Sequence, residues 1–287
     1  MVAAPRVAGL RVNPPVVGLT GATGFLGTAL TAALTRRGAR VVALRLGPLP
    51  KLDRPTIEAL LAGAGPFDRL INCAADKRPR DARAWFVNAE LPGILAALAG
   101  PGRLIHVSTA NVDHPDQGDP YTESKRAGER GLAAGGATVL RPGLIWSWSG
   151  QGDGALFARY LDLPLPWHPM LSPGNRYRPV LVGDLAEAIA ELALSDRPPE
   201  IVRILGDRAC SLFDLFADYA AGRRRRALPL ALGWLGRLPG ALTRPMTRHE
   251  RLIQLLPLDR TRSGPVPGIR SAARELVLPF PPAPRGA

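Results

Sequence analysis

Tyr121 and Lys125 stand four residues apart in the run Tyr121-Thr122-Glu123-Ser124-Lys125. On a helix that spacing puts a phenol and an ammonium on one face. A free phenol has a pKa of about 10 and does little acid–base work near neutral pH. A neighbouring ammonium stabilises the phenolate and makes the phenol a usable proton donor. Asp119 and Pro120 precede the pair as N-cap and first helical residue, so the phenol lies at the start of its helix. The apolar run Arg103–Val107 ahead of it ends in two hydroxyls, Ser108 and Thr109.

A second motif can hold phosphate. Thr20-Gly21-Ala22-Thr23-Gly24-Phe25-Leu26-Gly27 has Gly-x-x-Gly-x-x-Gly spacing between the apolar run Val16–Thr20 and a helical pattern over Phe25–Arg37. Glycine allows a tight turn and close backbone approach, and the helix N-terminus then offers its N–H groups to a pyrophosphate. Gly21, Thr23, Gly24, Phe25, Leu26 and Gly27 are therefore candidate cofactor contacts. A dinucleotide site often has an acid at the end of the second strand. This chain has Arg45 there, which suits a 2′-phosphate and favours NADP over NAD, with NAD the alternative.

The elements needed to position these groups are legible as alternation. Short apolar runs at 41–44, 70–73, 103–107 and 138–140 are separated by helical patterns at 56–64, 81–99 and 120–134. That order predicts an α/β fold, a Rossmann-type doubly wound parallel sheet with a small C-terminal substrate lobe. Residues 1–15 read as an N-terminal extension and 16–142 as the nucleotide-binding domain. That domain regains elements at about 179–205, and 143–178 with 206–287 form the lobe and a basic tail.

Composition narrows the classes further. Two distant cysteines give no disulfide framework and point to a reducing, cytoplasmic setting. There is no leader-like apolar segment and no run long enough to span a membrane. Residues 221–287 hold thirteen arginines, no lysine and three acids, so ten of the thirteen net positive charges lie there. Compositional bias explains much of this, since lysine occurs only at 51, 77 and 125. The run Arg223–Arg226 followed by Leu228–Leu242 could present a basic amphipathic surface. It lacks the interleaved aromatics of a nucleic-acid site, so no nucleic-acid partner is expected. His106 lies inside a strand and reads as core. His114 and His168 lack metal-ligand spacing, so no metal site is expected.

Taken together, Thr20–Gly27, Asn72 with Ala74-Ala75, Asn88, Ser108-Thr109 and Tyr121/Lys125 resemble the extended short-chain dehydrogenase/reductase family, also called the epimerase/dehydratase family. Over the first 145 residues the resemblance is to its dTDP-4-dehydrorhamnose reductases, through Leu52-Asp53, Ile71–Ala75, Val87–Ala89, His106–Thr109 and Tyr121…Lys125…Gly128-Glu129. It extends to Arg141-Pro142 and to the stretch from Arg178 to Asp184. The resemblance implies an NAD(P)-dependent oxidoreductase that reduces a carbonyl or imine. Tyr121 would be the general acid and Lys125 the group holding the nicotinamide ribose. Thr109, with Ser108 beside it, would bind the substrate oxygen. It adds Asp53, Cys73, Ala74, Ala75, Asn88, Arg141 and Pro142 to the cofactor contacts, and it implies a homodimer through the helices near 81–99 and 120–134. Alternatives within the resemblance are an epimerase, dehydratase or cyclase without net redox, and a non-catalytic nucleotide-binding protein.

The segment Asn111–Pro120 is shorter than in most sugar-nucleotide enzymes of the family, and Leu144-Ile145-Trp146 lacks the asparagine many of them carry. Trp146 and Trp148, in a region rich in aromatics, are candidates to line the pocket of a small substrate, apolar, aromatic or sugar-linked, the alternative being that these aromatics form the core of the small lobe. Arg176 and Arg178 are candidates for gripping its phosphate or carboxylate.

Overall fold

The computed structural model describes residues 14–77, 81–115, 119–132, 136–152, 154–172, 174–231, 259–261 and 263–284. The N-terminal extension before residue 14, and the part of the Leu228–Leu242 stretch beyond Ala231, lie outside the described residues.

The chain begins β1 (Val16–Thr20), α1 (Phe25–Arg36), β2 (Arg40–Leu44), α2 (Arg54–Ala64) and β3 (Arg69–Asn72). It continues through α3 (Ala82–Trp85), a π-turn (Phe86–Glu90), α4 (Leu91–Ala99), β4 (Leu104–Val107) and a 3-10 turn (Ala110–Asp113). Next come α5 (Pro120–Arg130), β5 (Thr138–Pro142), β6 (Ile145–Trp146), α6 (Gly154–Leu161), β7 (His168–Ser172) and β8 (Val180–Leu181). The last elements are α7 (Val182–Leu194), β9 (Ile201–Gly206), α8 (Leu212–Gly222), β10 (Ala227–Ala231) and β11 (Arg274–Leu278).

Seven of these strands form one parallel sheet in the order β2-β1-β3-β4-β5-β9-β11. Every residue of β4, β5 and β9 is buried, as expected of strands covered on both faces. Leu30, Leu34, Leu185 and Ile189 of α1 and α7 fill the core on one face. Ile57, Leu91 and Leu95 of α2 and α4 fill it on the other. The chain changes direction across the sheet between β1 and β3, which opens a cleft at their carboxyl ends. Thr20 and Asn72 meet at that point, the threonine hydroxyl donating to Asn72 Oδ1 at 2.6 Å.

Two elements differ from the expectation. Residues 274–278, assigned to the lobe, instead pair with β9 and extend the main sheet. The helix expected over 81–99 is broken by the π-turn. Pro92 has no N–H to give to the carbonyl four residues back, that of Asn88, and the turn widens there.

The smaller region is built from β6 paired with β8, β7 paired with β10, α6 and α8. Its own core contains Trp146, Trp148, Leu215, Phe216, Tyr219 and Phe280.

Candidate active site

The glycine loop crosses the carboxyl end of β1 and enters α1 at Gly24. Gly21 has φ +71°, and a Cβ there would lie 2.8 Å from Ala74 N and Cys73 C. The backbones of the loops after β1 and β3 therefore touch, and only glycine permits it. A Cβ at Gly27 would lie 2.0 Å from Gly21 O, so α1 also starts against its own turn. Gly24 is the N-cap, with no side chain to bond the first-turn N–H groups, and Thr23 and Gly24 are exposed. Those donors are thus open to an anion, and the helix dipole favours one. Arg45 is exposed immediately past β2. A dinucleotide fits this cradle.

Lys125 is fully buried on α5, and its Nζ donates to Val107 O at 2.8 Å. Burial lowers this ammonium to about 8, against Glu129 and Cys73, which favour its charge. Tyr121 is half-buried one helical turn earlier. Asp119 caps the helix, accepting from Thr122 N at 2.9 Å. Val107 leads directly into Ser108 and Thr109. The Ser108 hydroxyl is buried without a hydrogen-bond partner. Thr109 is half-buried and caps the 3-10 turn by accepting from Asn111 N at 3.2 Å. Lys125 is thus tied to the strand that runs into Ser108 and Thr109, and Tyr121 lies one helical turn before it on α5.

Behind them lies a polar chain. Asn72 Oδ1 accepts from Ala74 N at 3.2 Å, so the other end of its amide faces His106 Nδ1, also at 3.2 Å. His106 Nδ1 is then the acceptor and the ring proton sits on Nε2, a buried nitrogen without a partner. Burial, with Lys125 close by, holds the imidazole neutral. His106 is a core residue, as expected. Its tie to Asn72 was not foreseen, although a polar residue in each of two adjacent apolar strands was the available signal. Cys73 borders the same region, and burial pushes its thiol up to about 12.

Other candidates have structural employment. The Asn88 amide donates to Asp76 O and, at 3.0 Å, to Ser124 Oγ, while its carbonyl oxygen accepts from Asp76 N at 3.0 Å. It therefore ties the loop after β3 to α5. Asp53 caps α2 and pairs with Lys51 at 2.8 Å, and these bonds hold its carboxyl down at about 2. Ala74 is buried and Ala75 exposed on the loop facing Gly21.

Arg141 is a correction. Its guanidinium is fully buried and bound to Glu129 and, at 2.7 Å, to Asp113, so it has no reach to a cofactor. Pro142, the last residue of β5, is buried beside it. Arg178 is another correction. It donates to Gly206 O at 2.7 Å and to Glu275 at 2.9 Å, which fastens the sheet edge. Trp146 and Trp148 do not line a pocket. They are 1% and 8% exposed and pack edge to face at 5.6 Å in the lobe core. Arg176 is exposed.

Sequence reasoning missed Arg126. It is buried on α5, with Nε donating to Val112 O at 3.2 Å and another nitrogen donating to His114 O. It clamps the short segment after Thr109 to the helix bearing Tyr121. An arginine one residue past Lys125 carried no signal in a chain so rich in arginine.

Residues 16–136 match the family model described as RmlD substrate binding domain. The chain is 31% identical over 197 residues to a dTDP-4-dehydrorhamnose reductase of Streptomyces griseus, covering 61% of this chain and 64% of that protein. It is 34% identical over 202 residues to a dTDP-4-dehydrorhamnose reductase of Mycobacterium tuberculosis, with the same coverage. The match therefore spans less than two thirds of these relatives. Among solved structures, the dTDP-4-dehydrorhamnose reductase of Bacillus anthracis in complex with NADP superposes with a TM-score of 0.63 at 19% identity, covering 76% of this chain and 85% of that one. A human epimerase family protein with NADPH gives 0.64 at 20% identity, covering 84% and 88%. These likenesses show the fold.

Proposed function

We propose that this chain is a member of the extended short-chain dehydrogenase/reductase family and an NAD(P)H-dependent reductase of a sugar-linked ketone. The observation that carries this reading is Lys125. A wholly buried ammonium is costly, and this one is held by the strand that delivers Ser108 and Thr109, one turn from a half-buried phenol. Burial disfavours that charge, and chemistry beside the phenol gives it a use.

In this reading Gly21, Gly24 and the first turn of α1 hold the pyrophosphate, and Arg45 holds a 2′-phosphate, so NADP is preferred. The cofactor supplies the hydride. Thr109 and Ser108 donate hydrogen bonds to the substrate oxygen. Tyr121 gives that oxygen its proton, and the Lys125 charge stabilises the phenolate left behind. Neutral His106 adds no competing charge next to Lys125. The relatives named for a dTDP-sugar favour a sugar-linked substrate over a free apolar ketone. A homodimer through α4 and α5 and a cytoplasmic setting are part of the same proposal.

The test is turnover of dTDP-4-dehydrorhamnose with NADPH, followed by loss of reduced nicotinamide absorbance. Stoichiometric consumption is expected. Tyr121→Phe should lower kcat at least about a hundredfold while NADPH still binds. Product formed without net cofactor oxidation would sink the reductase reading.

A further inference from the structure

The small sheet of β7 and β10 has two unlike faces. Ala227 pairs with His168, Leu228 with Pro169 and Leu230 with Leu171. Met170 and Ala227 point inward and pack on the lobe core. Leu171, Leu228 and Leu230 alternate with them and are 41 to 46% exposed. A solvated sheet face is ordinarily polar. Six of the nine large apolar side chains exposed among the described residues are Leu163, Leu165, Trp167, Leu171, Leu228 and Leu230, all on or beside this sheet. Clustered exposed apolar side chains mark an interaction site rather than ordinary surface.

Arginines rim this patch. The chain leaves α8 through a turn in which Arg224 N bonds Ala221 O and Arg225 N bonds Ala220 O. Arg224 takes φ +58°, and it is the only non-glycine residue with positive φ among those described. That strained turn throws out Arg224, Arg225 and Arg226, all exposed. Arg225 and Arg226 line one concavity of about 460 Å³ together with Trp167 and Leu228.

We propose that this face docks on an anionic phospholipid surface. Trp167 and the leucines would enter the headgroup boundary, where tryptophan is favoured, and Arg224–Arg226 would meet lipid phosphates. Charge complementarity selects this occupant, because three exposed arginines beside an apolar face repel a second copy of the same face. The proposal is independent of the reaction catalysed.

The test is flotation of the full chain with phosphatidylcholine vesicles, with and without phosphatidylglycerol. Binding should need the anionic lipid and fall as salt rises. Replacing the three arginines (R224Q, R225Q, R226Q) should reduce partitioning by roughly a hundredfold, with circular dichroism unchanged. Brominated lipid should quench wild-type fluorescence more than that of Trp167→Phe. Absence of binding, equal binding to neutral vesicles, or indifference to the arginine changes would each overturn the proposal. So would self-association abolished by Leu228→Ser without vesicle binding, or retention on duplex DNA through the same arginines while vesicles are ignored.

Discussion

Asn88 donates to the Ser124 hydroxyl at 3.0 Å, and that hydroxyl donates in turn to the Tyr121 carbonyl at 2.7 Å. A loop beside the glycine cradle is thereby coupled to the backbone of the proposed acid. The helix can come this close because Gly128 has no Cβ, which would lie 2.4 Å from Asn88 O. Asn88→Ala should leave buried groups unpaired and cost about 1–3 kcal/mol of stability. It should also lower NADPH affinity and kcat together, because both loop and helix lose a tether. A denaturant melt with NADPH titration checks this. Lost stability with intact kinetics would confine Asn88 to a folding role.

Lys125 makes stability depend on pH in a defined direction. Burial lowers its ammonium to about 8, against about 10.4 for an unfolded lysine. Between those values the unfolded chain binds more protons, so stability rises with pH through that window, and below about pH 8 the full burial cost is present. Compared with Lys125→Met, the wild-type chain should gain up to roughly 3 kcal/mol between about pH 7 and pH 10. Urea midpoints of the two proteins across that range measure it. Under the reductase reading, kcat/KM should also fall above about pH 8 as the charge is lost. A pH-independent difference between the two proteins would show that the ammonium is not buried as described.

The sheet and the glycine loop were readable because their causes are local. Apolar runs of strand length, helical periodicity and glycines at a turn follow from adjacent residues. That Tyr121 and Lys125 share one helix was readable for the same reason, since they stand one turn apart. Arg141 was misread because its partners Asp113 and Glu129 come from two other elements, and no spacing announces a buried ion cluster. Trp146 and Trp148 stayed open between pocket and core because an aromatic-rich stretch serves equally as either, and packing against Tyr219 and Phe280 decides for core. β11 was missed because an edge strand following a proline-rich tail has weak alternation.

Arg45 offers a clean test of cofactor choice. Its side chain is exposed at the strand end, so Arg45→Asp should not disturb the core. A charge-assisted hydrogen bond contributes about 1.5–3 kcal/mol. NADPH should therefore bind roughly ten- to a hundredfold more weakly, and NADH within a few-fold of wild type. Equal weakening of both by calorimetry would place the 2′-phosphate elsewhere.

Glu129 and Arg141 form a buried pair whose side chains are 5% and 0% exposed, with Asp113 as a third member. Removing one partner strands the other, which typically costs about 3–5 kcal/mol. Glu129→Ala should lower the urea midpoint accordingly, and the double change to Glu129→Met with Arg141→Met should cost less than the single one. If the double variant loses the sum of two full penalties, the pair is not coupled.

Arg224 should be improvable. It occupies the left-handed position just past α8, closing that helix with the two backbone bonds of a Schellman turn. Glycine is the usual residue there because a Cβ strains this backbone region, at a cost of about 1–2 kcal/mol. Arg224 is exposed and its side chain supports no core contact. Arg224→Gly should therefore raise stability by about 0.5–1 kcal/mol, less than the full strain because glycine has more unfolded freedom to lose. Thermal melts at fixed pH measure the gain, and vesicle flotation of the same variant should show weaker binding. Higher stability with weaker lipid attachment would mean the strain is kept for the surface it builds. A loss of stability would show that the turn does not have this backbone conformation.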